Sequence, residues 1–383
     1  MKARRYKMLC AALLACGLLG AQASQAQGFT DLGPSQPTLS GLSASGGLIA
    51  GYSNTTHLYY TWTATRGLQT IGGYWLGGDA DVSANGAWIS GSALNAATGN
   101  TEAALYNVAS GQWTTLGSLG TGLGGSASSA WGVSGDGRTV VGLAWVSGGL
   151  GHAMKWTASG GMVDLGSSVA GAGSRANDTS FDGGIVVGWQ DSAAGARQGA
   201  FWRDGTETVL ADGAGTVLGE ASAISADGEW IVGRGLTRGA QSWRYNTTTG
   251  VTEYLGDFKN GGTFSFDLNG AVDVSADGSV ILGIDRTASG PPTQGYGTIW
   301  VEGVGLMSLT DYAASRGVVL PAGTTLALPL AMSSDGSTLS GITNTGHAFT
   351  VSVTAVPEPA SYALLLGGLG LVGFVSRRRA SAR

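Results

Sequence analysis

Of 383 residues, 68 are Gly, more than twice the usual share of about 7%, while 12% are charged and 43% are hydrophobic. Eight Pro and the lack of a Gly-X-Y period exclude a collagen helix; the apolar content excludes a charged disordered chain, and so much Gly argues against a helical bundle. Eight of the 20 basic residues but only one of the 25 acidic residues lie in the two ends, which leaves residues 28–355 near −12, without a basic stripe for nucleic acid or anionic lipid.

The chain opens on a basic stretch, Lys2, Arg4, Arg5 and Lys7, followed by an apolar run from Met8 to Leu19. Ala21-Gln22-Ala23, or Ser24-Gln25-Ala26, supplies a small-x-small cleavage site. Residues 1–27 therefore read as a secretory signal helix, handled by the Sec machinery and signal peptidase. The run is short for a permanent anchor. Both cysteines, Cys10 and Cys16, fall inside it, so the mature chain is expected to use no disulfide, thiol chemistry or Cys-bound metal. Leu13-Leu14-Ala15-Cys16 has the order of a lipobox, but apolar residues continue past Cys16.

Residues 28–355 are built from one unit used seven times. Each copy contains Ser-x-x-Gly-x-x-x-x-Gly, starting at Ser43, Ser83, Ser134, Ser180, Ser225, Ser275 and Ser333. The steps between first glycines are 40, 51, 46, 45, 50 and 58 residues, which suits propeller blades better than the rungs of an open solenoid. Four strands are predicted per unit. Strand one carries small residues, as in Ala271-Val272-Asp273-Val274. An Asp-Gly or Asn-Gly turn follows. Strand two is β-branched, as in Ile185-Val186-Val187, and strand three is aromatic, as in Ala200-Phe201-Trp202. Strand four starts at a Gly and ends near Leu-Gly, as in Gly161 to Gly166.

Unit seven lacks a fourth strand. Its copy lies at the other end of the chain, where Gly28-Phe29-Thr30-Asp31-Leu32-Gly33 matches Gly161-Met162-Val163-Asp164-Leu165-Gly166 at four of six positions. The fold predicted is all-β: a seven-bladed β-propeller closed by an N-terminal strand, flanked by an N-terminal signal helix and a C-terminal transmembrane helix. Small strand-one residues are expected along the central axis. Thr310 to Gly317 reads as a short capped helix connecting units on one rim. The repeats resemble the HAF family of extracellular repeats, on His347-Ala348-Phe349 and the degenerate His152-Ala153-Met154. That resemblance implies an exported repeat protein.

Chemistry is sparsely signalled in the body. His57, His152 and His347 occupy strand-three starts of different units and are not expected to converge on a metal. The turn residues Asp136, Asp182, Asp227, Asp277 and Asp335 suit turn formation better than Ca²⁺ binding. Asp79, Asp81, Asp267, Asp273 and Asp285 are further carboxylates near strand ends, with no pairing evident. Gly120-x-Gly122-x-Gly124 reads as a loop, since no helix pattern follows it. No catalytic residue, metal site or cofactor is assigned. The aromatic signal is stronger: Trp62, Trp156, Trp202, Trp243 and Trp300 belong to strand three, whereas Trp75, Trp131, Trp145 and Trp189 fall near strand ends or loops, where a sugar ring stacks well.

The tail, residues 356–383, has three parts: Pro357-Glu358-Pro359, an apolar run from Tyr362 to Val375, and Arg377-Arg378-Arg379. The run spans about 21–24 Å as a helix, short for a hydrocarbon core of about 30 Å, and arginine stems extend its reach. The arginines orient it with the body outside the cytoplasm. This tail resembles the PEP-CTERM sorting signal of Gram-negative bacteria. The resemblance implies that Pro357, Glu358 and Pro359 are recognised by an exosortase, with Arg377, Arg378 and Arg379 as the stop-transfer cluster. The body would then reach the cell surface or extracellular matrix, in contact with exopolysaccharide, touching the membrane only through the tail before processing. Two readings follow: a structural or binding protein at the envelope, or a polysaccharide hydrolase or lyase. A channel polished by small residues favours the first, and convergent carboxylates, His or Tyr favour the second.

Overall fold

The Ser-x-x-Gly turn is held by its own side chains. Ser134 Oγ donates to Asp136 Oδ1 at 2.7 Å and accepts from the Thr139 amide at 2.9 Å, while the Arg138 amide donates to Asp136 Oδ1 at 2.9 Å. The Ser–Asp bond recurs at Ser180, Ser225, Ser275 and Ser333, with Asn85 in the Asp place of unit two. The following Gly sits at positive φ, 74° at Gly137 and 76° at Gly228, where a side chain is strained. Turn formation is thus what the repeated aspartates do.

The computed structural model describes residues 28–34, 38–122, 124–146, 149–235, 241–256, 268–286 and 292–353. The signal segment 1–27 and the tail 356–383 lie outside the described residues. The described chain is a seven-bladed β-propeller, nearly all β, with one α-helix. Blades one and three to six are four-stranded antiparallel sheets in chain order. Blade two has three strands, and its strand one is reduced to the bridge Val82–Ile89. Blade seven takes strands Leu328–Met332, Thr338–Ile342 and His347–Ser352, and its outer strand is Gly28–Pro34.

That last pairing is the closure read from the motif match. Gly28 lies opposite Ser352, Phe29 opposite Val351 and Asp31 opposite Phe349. Phe29 stacks on Phe349 with ring centroids 6.3 Å apart. His347 Nδ1 meets Asp31 Oδ2 at 2.9 Å, as His152 Nδ1 meets Asp164 at 3.0 Å in blade three. The shared Asp of the two strand-four copies therefore faces the shared His of strand three. The hydrogen bond to His347 holds the Asp31 carboxyl below its ordinary pKa.

Each joint between neighbouring blades is filled by one apolar cluster, giving seven among the described residues. At the joint of blades seven and one, Ala331 and Ala348 pack on Leu39, Leu42 and Ile49, with Leu32 of the closing strand and Trp62 against them. The Ser340 hydroxyl donates to the Leu39 carbonyl across the same joint at 3.2 Å. The helix, α1, runs Leu309–Ser315, capped by Ser308 rather than Thr310. Thr310 instead accepts from the Leu326 amide at 3.0 Å. Leu309, Tyr312 and Ala313 are buried in the joint of blades six and seven, so the connector belongs to the core there.

A bulge in strand one recurs in six blades: the pairing to strand two skips Ser40, Trp131, Asn177, Ser222, Val272 and Leu330. It explains the second Gly of the repeat. A Cβ on Gly188 would overlap the Arg175 carbonyl oxygen, and one on Gly142 the Ser129 carbonyl oxygen, because the bulge pushes strand-one carbonyls onto strand two.

The two faces of the ring differ. The Ser-x-x-Gly turns form the lower face, where a collar of backbone bonds passes from blade to blade: Ala44 to Ala84, Ala84 to Gly135, Phe181 to Ala226, and Ala276 to Ser334, at 2.8–3.0 Å. Gly28 lies here, opposite Ser352, and the Val353 amide bonds the Ser337 carbonyl at 2.7 Å. Chain entry and chain exit therefore share the lower face. Strand-one starts and strand-two ends form the upper face.

Deleting residues 28–33 exposes the edge of His347–Ser352 and removes the Phe29–Phe349 contact, and should lower the melting temperature by several degrees, a loss of about 1–3 kcal/mol. A calorimetric scan that superimposes on the intact protein would contradict the closure.

Candidate functional site

The seven strand ones surround a central channel of about 440 Å³. It is not lined by small residues alone, as the sequence suggested. Counting two residues back from each repeat Ser gives Gly41, Asp81, Gly132, Asp178, Ala223, Asp273 and Ala331. The aspartates stand in blades two, four and six, with small residues between them. Each carboxylate bonds two backbone amides. Asp178 accepts from Thr179 of its own strand at 2.7 Å and from Ile224 of blade five at 2.9 Å. Asp81 does the same with Val82 at 2.7 Å and Val133 at 2.8 Å, and Asp273 with Val274 and Met332 at 2.7 Å. These are side-chain staples from one blade to the next.

The staples are costly when charged. Each carboxyl keeps some contact with the channel, but the blade walls strip most of its water. Burial pushes Asp81 up to about 7 and Asp273 up to about 6. Asp178 is raised well above its ordinary value, first by burial and then by the charge of Asp81.

At the upper mouth a different group assembles. Arg175 of blade four lies 3.7 Å over the Trp131 ring of blade three and 5.3 Å from that of Trp189. Its guanidinium bonds Asn177 Oδ1 and Glu220 Oε1, both at 2.8 Å. Arg197 bonds Glu220 Oε2 at 3.0 Å and covers Trp189 at 4.3 Å. Asn177 donates to Glu220 Oε1 at 3.0 Å and to the Ala221 carbonyl at 2.7 Å. Burial raises the Glu220 pKa, but the charges of Arg175, Arg234 and Arg197 outweigh it and hold the carboxyl below its ordinary value. Across the mouth, Asp79 hydrogen-bonds the Tyr52 hydroxyl. Burial pushes Asp79 up to about 6 against the pull of Arg175 and Arg234. Burial and the Asp79 charge raise Tyr52 well above its ordinary value.

The four tryptophans singled out in the sequence all reach the upper side. Trp75 stacks on Tyr52 at 4.7 Å and donates to the Gly78 carbonyl at 3.0 Å. Trp131 lies at a strand-one bulge and lines the channel, not at a strand end. Trp145 ends strand two of blade three and is half-buried, and a Cβ on Gly120 of the Gly-rich loop would come within 2.8 Å of its carbonyl oxygen. Trp189 is buried between the two arginines. His57 Nδ1 lies 3.0 Å from the Trp75 carbonyl, apart from the other two histidines. Pro357, Glu358, Pro359, Arg377, Arg378 and Arg379 lie outside the described residues, as does Asp267.

Sequence reasoning named Asp79, Asp81 and Asp273 without pairing them. It passed over Asp178, Arg175, Glu220, Arg234 and Tyr52. Aligning the seven units on their repeat Ser would have exposed the alternating aspartates. Nothing local marks the mouth cluster, whose members come from blades one to five.

Asp178→Ala leaves the Thr179 and Ile224 amides without acceptors and should cost about 1–3 kcal/mol. The pH dependence has an unusual sign. The folded state holds the staple protons more tightly than the unfolded chain does, so their stabilisation is complete in acid and is lost as pH rises through about 6 to 7. The melting temperature should fall between about pH 5 and pH 8, and fall less in Asp81→Asn. A melting temperature that rises over that interval contradicts the burial of these charges.

No curated protein matches the chain in sequence. Solved structures match it in fold. The β-propeller domain of the Trilobed protease from Pyrococcus furiosus is 10% identical with a TM-score of 0.53, over 87% of this chain and 99% of that one. That domain is described as having an open velcro topology, whereas here the N-terminal strand closes the last sheet. An oligogalacturonate lyase in complex with manganese is 10% identical with a TM-score of 0.52, over 86% and 95%. Hydrazine synthase of Kuenenia stuttgartiensis is 13% identical with a TM-score of 0.50, over 88% and 100%. At these identities the likeness is one of fold alone. Residues 355–379 match the PEP-CTERM protein-sorting motif, and the chain thereby carries the signature of a protein that is exported, anchored transiently in the membrane and processed by an exosortase.

Proposed function

We propose that this is a surface or extracellular-matrix protein of a Gram-negative bacterium, whose HAF-like propeller binds exopolysaccharide at its upper mouth. Sec and signal peptidase remove residues 1–27, residues 28–355 form the body, and the exosortase acts on 356–383. The observation that carries the reading is the placement of the two ends. Val353, two residues before the start of the sorting motif, lies on the lower face, which on this reading leaves the mouth with Trp131 and Arg175 facing away from the anchoring membrane. A body displayed in this way is suited to holding a ligand outside the cell. Trp75, Trp131 and Trp145 supply the aromatic surface for sugar rings, whereas Trp189, proposed from the sequence for the same role, is buried under Arg175 and Arg197 and braces them instead.

A second reading, a polysaccharide hydrolase or lyase, draws on one observation: Asp79, raised to about 6, shares the channel with Tyr52 and Arg175. A carboxyl poised near neutrality beside a phenol suits proton transfer. The channel aspartates do not add to this reading, because both oxygens of each are committed to amides.

Replacing Pro357-Glu358-Pro359 by alanines should leave the body with its tail in the membrane fraction, and the same mass and surface yield as the parent would refute the sorting role. Trp fluorescence of the purified protein should be quenched by the host's own exopolysaccharide, and no response would remove the binding role. Release of new reducing or unsaturated ends from that polymer, lost in Asp79→Asn, would favour the enzyme instead.

A further inference from the structure

Resting on the glycan-binding reading above, we infer that the upper mouth recognises an acidic saccharide, with Arg234 taking the carboxylate of a uronic-acid residue. Residues 28–355 carry 12 basic groups, and three of them, Arg175, Arg197 and Arg234, gather around Glu220. Two are spent. Arg175 takes one Glu220 oxygen at 2.8 Å and Arg197 takes the other at 3.0 Å. Arg234 is exposed and forms no ion pair among the described residues. With Asp79 counted across the mouth, three guanidiniums still face two carboxyls there, a cation in excess within a body that repels anions elsewhere.

Arg234 is also pre-positioned. Its carbonyl accepts from the Trp243 indole at 2.7 Å, and its amide donates to the Glu220 carbonyl at 3.0 Å. Its stem lies over Gly270, where a Cβ would overlap the Arg234 Cγ. A guanidinium fork on a fixed backbone matches a planar carboxylate in two parallel bonds. The groups around it suit a sugar rather than a bare anion. Trp131 and Tyr52 line the same channel, as does Asn177. Ser222, at the bulge of Arg234's own blade, lines it too, and its hydroxyl has no hydrogen-bond partner among the described residues. An acidic sugar offers a carboxylate to Arg234, a ring to the channel aromatics and hydroxyls to the polar side chains beside them.

The test compares two tetramers that differ only at C6, β-1,4-linked glucuronate and β-1,4-linked glucose, by calorimetric titration of the purified protein, with inorganic phosphate as a third arm. The glucuronate tetramer should bind at least about tenfold more tightly than the glucose tetramer. Arg234→Gln should abolish that preference in a protein that still unfolds in one cooperative transition, while Arg234→Lys restores part of it. Equal binding of the two tetramers, or an unaltered preference in Arg234→Gln, overturns the inference while leaving glycan binding intact. Phosphate competing as well as glucuronate reduces the site to a general anion site and overturns it too. If neither tetramer nor the host exopolysaccharide binds while the tail is still processed, the glycan reading falls with it and the export reading stands.

Discussion

An antiparallel sheet that ends in an unpaired strand offers its backbone to any passing edge. Here the missing strand is supplied from the opposite end of the chain. Gly28–Pro34 completes the sheet of His347–Ser352, and the joint between blades seven and one then packs as the other joints do. The apolar core is divided among seven clusters, each shared by two blades. No blade buries its own face alone, so the loss of closure is felt at the joints as well as at the edge.

Inside the ring the constraint is space. Strand one is crowded against the axis, and its bulge turns successive side chains toward the channel and the neighbouring blade. Asp81, Asp178 and Asp273 use that geometry to bond the next blade, and they alternate with Gly or Ala. Alternation follows from charge and volume. A carboxylate in blade four reaches the amide of Ile224 past Ala223, and a second carboxylate at 223 would crowd and repel it. With seven blades, strict alternation leaves two neighbouring blades without an aspartate, seven and one, where the Ser340 hydroxyl bonds Leu39 instead.

The two faces divide the labour. The lower face carries turns, the backbone collar and both chain ends. The upper face carries Arg175, Arg197, Arg234 and Glu220 with Trp75, Trp131, Trp145 and Trp189. Arg175 is held between two indoles and one carboxylate, which fixes its charge in place.

Much of this architecture was legible without coordinates. The Ser-x-x-Gly spacing gave the blade count, because a turn needing positive φ and a side-chain hydrogen bond is a local demand that few residues meet. The match of residues 28–33 to 161–166 gave the closure, because a strand of fixed role keeps its pattern wherever the chain places it. The Pro-Glu-Pro tail is likewise a linear signal. What the pattern misjudged was set by pairing: the helix cap moved to Ser308, and Trp131 proved to stand at a bulge facing the channel. The mouth was out of reach for the same reason. Tyr52, Asp79, Arg175, Glu220 and Arg234 come from four blades, so which of them meet depends on how the blades pack rather than on any local pattern. The amino-acid order by itself determined the turns, the strands, the closing partner and the sorting signal, since each is a short-range requirement. Only the tertiary structure decided which charges meet at the channel, since that depends on register between strands far apart in the chain.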